Sequence, residues 1–349
     1  MTLAHSLLVV VFAGCGAAAP DVNAGPGTGG SALDGGRPGG LTDAGAAMDA
    51  GVDDPPLSAG EQACLREGWR RQSVQLANTR RALLWRGPPV WSKGAIVLMH
   101  GGGGRAEHFC AGGLLVQPQV AFAAAAVAQG FAVFALDSTD GVVTDAQGRP
   151  CGKRFDFSVL PRPNVDLPFF DWATRTLVPS VRPPGSRPEL FVAGLSTGGA
   201  MTIRAASTFD DRVTAFAPLS AVDPYGTDAV CDPALSPRES AIGILVDRET
   251  GLEIVLDGVC TAPAGFSNES PWATTGPARR PPFKQFHDLA DGIVDQSCMR
   301  KAQAQLVANG YSDRGPALLD TPGGKNALNH LWRQAYNAPL LGFFASFTP

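Results

Sequence analysis

Ser196 stands in Gly194-Leu195-Ser196-Thr197-Gly198, directly after the strand-like stretch Glu189 to Ala193 and directly before the small residues Gly199-Ala200-Met201. A serine on a sharp strand-to-helix turn needs glycines beside it, because other side chains would meet neighbouring backbone, and the turn lifts the hydroxyl clear of the sheet. Such a hydroxyl is a nucleophile if a base takes its proton and an acid fixes the tautomer of that base. In a chain with 42 glycines the pentapeptide alone is a weak signal. Its placement and its downstream partners give it weight.

The chain has five histidines. His330, in Asn326-Ala327-Leu328-Asn329-His330-Leu331-Trp332, follows the last expected strand and is the expected base, in the chain order nucleophile, acid, histidine. His5 lies in the N-terminal segment, and His100, His108 and His287 are expected to be structural. For the acid, Phe286 to Val294 offers Asp288 and Asp291. Asp291 is preferred because it sits in a turn beyond the strand with Gly292 beside it, whereas Asp288 and Asp295 read as solvated or capping residues. The Thr197 N–H, one residue past the nucleophile, is placed to hold a developing oxyanion. The run His100-Gly101-Gly102-Gly103-Gly104 lacks the Gly-Lys-Ser/Thr ending of a phosphate loop. His108 and Cys110 are the only close His/Cys pair, so no metal and no cofactor are expected.

These groups need a scaffold that brings distant segments to one edge. Ser73 to Arg86 reads as two short strands around Asn78, and Ala95–Met99, Phe131–Leu136, the stretch at Leu190, Val213–Pro218, Pro282–Phe286 and Ala317–Leu319 read as further strands. Helical stretches fall between them at Ala121–Gln129, with Gly130 as cap, at Asp166–Val178, after the elbow, and at Leu331–Phe347. The alternation implies an α/β fold, a mostly parallel sheet covered on both faces. Residues 222–281 are too many for a simple crossover and read as a lid-like insertion. Within it, Ala241–Asp247 and Leu252–Gly258 around Arg248-Glu249-Thr250-Gly251 form a hairpin that either belongs to the lid or extends the sheet edge.

The N-terminus carries an apolar run, Leu7 to Ala13, followed by Gly14-Cys15. Residues 1–15 look like a lipoprotein-type signal with lipid attachment at Cys15; the alternative is an ordinary secretory signal cleaved near Ala19. Either one exports the chain, to the cell envelope or beyond it. Residues 16–60 are almost wholly Gly, Ala, Pro, Asp, Ser and Thr, with Arg37 as the one base against six aspartates, and are expected to be a disordered tether. Residues 61–349 carry 27 Lys plus Arg against 26 Asp plus Glu, a balance with no nucleic-acid footprint. They suffice for one catalytic domain. With Cys15 lipidated, Cys64, Cys110, Cys151, Cys231, Cys260 and Cys298 suggest three disulfides. The expected pairing is Cys110 with Cys151, Cys231 with Cys260, and Cys64 with Cys298.

His100-Gly101-Gly102-Gly103, the stretch Val192 to Met201, His287-Asp288-Leu289-Ala290-Asp291 and His330-Leu331-Trp332 together resemble the α/β-hydrolase superfamily, and more closely its polyhydroxybutyrate depolymerase and feruloyl or acetylxylan esterase branch. Asp288 and Asn329 stand where that branch has glycine. The resemblance implies a serine ester hydrolase with the triad Ser196, Asp291 and His330, and a second oxyanion donor from Gly101 or Gly102. It implies an acyl-enzyme route on a small-molecule or oligomeric ester. Trp332, Phe169 and Phe170, with Trp172, are candidates for an aromatic acyl pocket. The competing readings are a serine peptidase of the same superfamily and a non-catalytic envelope binding protein that keeps the fold.

Overall fold

The computed structural model of the chain describes residues 55–140, 143–145, 148, 152–157, 162–225, 241–247, 253–257 and 279–348. The signal segment with Cys15, all but the end of the tether, Cys151, Cys231, Cys260 and most of the 222–281 insertion lie outside the described residues.

Helix α1, Ala59–Arg66, starts two residues before the expected domain boundary, because Ser58 and Glu61 close a capping box on its first turn. Strands β1, Arg70–Leu76, and β2, Thr79–Arg86, form the hairpin expected around Asn78. Strand β3, Ala95–Met99, leads into the glycine loop, and α2, Gln117–Ala128, returns the chain to β4, Ala132–Leu136. Strand β5, Val143–Asp145, follows. Helices α3, Leu167–Trp172, and α4, Val178–Val181, are joined by a π-helical turn, Ala173–Leu177. Strand β6, Leu190–Leu195, runs into α5, Thr197–Thr208, and then β7, Ala215–Leu219. After β8, Ala241–Asp247, and β9, Glu253–Asp257, come β10, Phe286–Asp288, α6, Gln296–Ala308, β11, Ala317–Leu319, and α7, Gln334–Ala345.

Eight strands form one sheet in the order β1-β2-β4-β3-β6-β7-β10-β11, with β2 antiparallel to β4 and every pair from β4 to β11 parallel. Strands β3, β4, β6 and β7 are buried at every position, which is why they read as unbroken apolar runs rather than as alternations. One face packs Phe122 of α2 and Leu340 and Phe344 of α7; the other packs Phe169, Phe170, Met201, Ala205, Ala302 and Leu306. With the sharp turn at Ser196 between β6 and α5, this doubly covered sheet is the α/β-hydrolase fold.

Strands β8 and β9 form the expected hairpin, but it does not extend the main sheet. It pairs with β5 in a separate three-stranded sheet, β5-β8-β9. The cysteine pairing differs as well. Cys64 is bridged to Cys110, which ties α1 to the loop after β3 and rules out both Cys110–Cys151 and Cys64–Cys298. Cys298 is itself disulfide-bonded. The Cys64–Cys110 pair forms because α1 packs on the loop that carries Cys110, a contact between segments 46 residues apart that no local pattern announces.

Candidate active site

The parallel strands end together, and the crevice beyond their carboxyl ends is where this topology gathers functional groups. Ser196 sits there in a backbone conformation rare for a side-chain-bearing residue, φ 55° and ψ −117°. Holding a serine in such a region costs of the order of 1–3 kcal/mol. The surroundings impose it: the Ser196 N–H donates to Leu219 O at 2.9 Å, and its carbonyl accepts from Ala200 N–H at 2.9 Å. A Cβ at position 198 would lie 2.4 Å from the carbonyl oxygens of Met99 and His100, so only glycine lets α5 start this close to β3. Ser196 stays partly exposed, and its hydroxyl donates to no group among the described residues.

Asp291 and His330 come from segments 39 residues apart and meet as the sequence order predicts. The His330 Nδ1 lies 2.9 Å from Asp291 Oδ2, which assigns its proton to Nδ1 and leaves Nε2 as the basic nitrogen. The other oxygen of Asp291 accepts the N–H groups of Ile293 and Val294 at 2.8 and 2.9 Å. Burial alone would raise the Asp291 pKa. The charge of His330, the bond to it and the backbone donors outweigh that effect and hold its carboxyl below the ordinary range.

The two positions that depart from the branch pattern brace this pair. Asp288 is buried and accepts from Ala290 N–H at 3.0 Å and from the N–H and hydroxyl of Thr321, tying the turn that carries Asp291 to the segment after β11. Asn329 donates from Nδ2 to Ala290 O at 3.1 Å and accepts from Arg333, which locks the His330 turn onto the Asp291 turn. Asp288 is therefore a bracing group rather than a solvated one. Asp295 caps α6 as expected.

The glycine loop faces the serine from the other side. A Cβ on Gly101 would lie 3.5 Å from Ser196 Cβ, and the N–H groups of Gly101 and Gly102 have no acceptor among the described residues. Gly103 is occupied, donating to Lys153 O at 2.7 Å. His100 braces this loop: its Nδ1 donates to Gly101 O at 2.7 Å, and its Nε2 accepts from Ser138 N–H at 3.1 Å. His108 is partly buried in the same loop, and desolvation lowers its pKa. His287 lies within β10 with neither ring nitrogen hydrogen-bonded among the described residues. Burial pushes its pKa down against the pull of Asp291.

Among the described residues, Trp332, Phe169 and Phe170 are core side chains rather than the walls of a pocket. Trp332 is buried between the rings of Phe109 and Phe122, with its indole N–H donating to Asn337 Oδ1 at 2.8 Å. Phe169 lies buried under the Arg81 guanidinium, and Phe170 stacks on Phe209. All three belong to the packed layers beside the sheet, where aromatic residues at helix starts supply apolar area to the core. Trp172 is partly buried and stacks on Phe169. Sequence reasoning missed Arg154, whose guanidinium lies against Gly102. It stands in a loop with no periodicity, and nothing in its neighbours marks it.

No family model and no curated protein matches the chain. Among solved structures it is similar to a Pyrococcus furiosus esterase, at 12% identity over 85% of this chain and 100% of that one, with a TM-score of 0.49. It is similar to a Pyrococcus horikoshii acylaminoacyl peptidase at 15% identity over 79% of this chain and 41% of that one, TM-score 0.49. It is also similar to SOBER1 of Arabidopsis thaliana at 12% identity over 73% of this chain and 100% of that one, TM-score 0.47. At this distance the chemistry is read from the chain's own residues.

Proposed function

We propose that the protein is an exported serine hydrolase that cleaves carboxylic esters through an acyl-enzyme. The observation that carries the reading is the pairing of Asp291 with His330 at the same strand ends that hold Ser196 in its strained turn. Ser196 Oγ attacks the ester carbonyl while His330 Nε2 takes its proton, and Asp291 stabilises the imidazolium that forms. The N–H of Thr197 and that of Gly101 or Gly102 receive the oxyanion. His330 then returns the proton to the leaving alcohol, and water repeats the sequence to free the acid.

The proposed substrates are soluble or oligomeric esters. Export rests on the apolar run before Gly14-Cys15, through which a lipid at Cys15 would hold the chain at the envelope, and is supported by the Cys64–Cys110 bridge, since disulfides persist in oxidising compartments. Hydrolysis of a short p-nitrophenyl acyl series by residues 57–349, beside a Ser196→Ala variant, tests the reading. Turnover is expected in the wild type and a loss of roughly 10⁴-fold or more in the variant. Equal turnover in both would remove Ser196 from the reaction, and a folded wild type that fails to react with a fluorophosphonate would favour a binding protein.

A further inference from the structure

Arg154 is a charged group beside the glycine loop with no counter-charge among the described residues. A Cβ on Gly102 would lie 3.1 Å from Arg154 Cζ and 3.1 Å from one of its Nη atoms, while a Cβ on Gly101 would lie 3.5 Å from Ser196 Cβ. The nucleophile and the guanidinium thus flank a single peptide unit of the loop, whose Cα atoms are about 3.8 Å apart. The Nε of Arg154 is enclosed by protein and has no hydrogen-bond partner, yet the residue keeps some accessible surface. That combination describes a guanidinium that is enclosed but not sealed from solvent.

Three carboxylates near this segment are already engaged. Asp137 holds Lys153 and the Ala106 N–H, Asp156 holds Arg162, and Asp166 holds Arg81. The segment is also anchored in place: Lys153 O accepts from Gly103 N–H, Phe155 packs on the His100 ring at 4.8 Å, and the Arg154 N–H reaches Thr139 O at 3.4 Å. These contacts hold the Arg154 backbone against the glycine loop. Desolvation lowers its pKa to about 10, the direction expected for a cation that lacks a counter-charge.

We propose that Arg154 is a substrate-binding residue that receives a carboxylate carried by the ester, a few bonds from the scissile carbonyl. A planar guanidinium meets a carboxylate through two parallel N–H bonds, and an enclosed Nε strengthens that contact because water competes poorly for it. The preferred substrates are then half-esters of dicarboxylic acids or esters of hydroxy acids with a free acid end. These place the anion on the acyl side or on the leaving side respectively.

This inference rests on the esterase reading for its setting, and its test separates the two. Acid release is followed from monoethyl succinate against its uncharged isostere ethyl 4-methylpentanoate, and from 3-acetoxypropanoate against 3-methylbutyl acetate. The wild type should favour the anionic member of one pair in kcat/KM, and the pair that shows the preference names the side. Arg154→Gln should cut that anionic-to-neutral ratio by about 10- to 100-fold, and Arg154→Lys, which keeps the charge without the fork, by less. Circular dichroism confirms that each variant is folded. Equal ratios in wild type and Arg154→Gln, or a wild-type preference for both neutral esters, would overturn the proposal. If no ester is turned over, the esterase reading fails by itself. Succinate binding by calorimetry then decides: saturable in the wild type and lost in Arg154→Gln it supports the anion subsite, and absent from the wild type it removes it.

Discussion

Arg81 and Arg154 are both largely enclosed by protein, and the chain treats them in opposite ways. Arg81, on β2, ion-pairs with Asp166, donates to the carbonyls of Val165 and Asp137 at 2.9 Å each, and lies over the Phe169 ring. Arg154 has none of these partners among the described residues. The first is a strut joining β2, the segment after β4 and the start of α3. The second has no such role and stands one peptide unit from Ser196. A chain that satisfies one guanidinium so completely has the means to satisfy the other, so the difference marks where structure ends and ligand chemistry begins. Asp291 falls on Arg81's side of this divide, with both carboxylate oxygens engaged.

The largest expected effect breaks the satisfied side at the reaction itself. Asn in place of Asp291 keeps the oxygen that accepts from Ile293 and Val294 but offers the His330 Nδ1 an amide donor, which reverses the tautomer. A fall in kcat of the order of 10³–10⁴-fold follows, with KM nearly unchanged. A loss below about 10-fold in steady-state kinetics would take Asp291 out of the proposed triad and turn attention to Asp288.

Next in size is the contrast between the arginines, read in urea unfolding. Arg81→Leu strands the Asp166 carboxylate in the interior and should cost about 3–5 kcal/mol. Arg154→Leu removes a desolvated cation with no counter-charge and should raise stability by about 1–2 kcal/mol while it lowers the anionic-to-neutral ratio, the trade between stability and binding that functional sites show. The same sign in both variants would erase the distinction.

That distinction was not legible in the sequence, and the reason is physical. The elbow at Ser196, the buried strands and the order of Asp291 and His330 are local signals, set by glycine sterics and by runs of apolar residues, and they predict the frame from a few residues at a time. The Cys64–Cys110 bridge and the Arg154 environment depend on segments that meet only after folding. The aromatic residues failed as pocket candidates for a related reason: Trp332, Phe169 and Phe170 carry the type a pocket needs, but type alone cannot separate a ring that faces the crevice from one that fills the layer beside the sheet. Asp288 and Asn329 stand where the resemblance has glycine. In place they are the hydrogen-bonding groups that hold the Asp291 and His330 turns together.

Asp223, just beyond β7, lies between the two arginines in kind. Its carboxylate accepts the Tyr225 N–H at 2.9 Å, and Lys301 acts on it electrostatically, but desolvation prevails and raises its pKa to about 6. A carboxyl whose folded pKa lies above its unfolded value near 3.9 keeps its proton longer in the folded state, so stability falls as pH rises from about 4 to about 6 and is level above that. Asp223→Asn preserves the acceptor for Tyr225 and removes the titration. Since the residue retains some exposure, the variant should gain only about 1–2 kcal/mol over wild type at pH 7 relative to the difference at pH 4. Urea midpoints at the two values measure this. A constant difference would mean that Asp223 is ionised as freely in the folded chain as in water, and that the burden of an unmatched buried charge falls on Arg154 and not on this carboxylate.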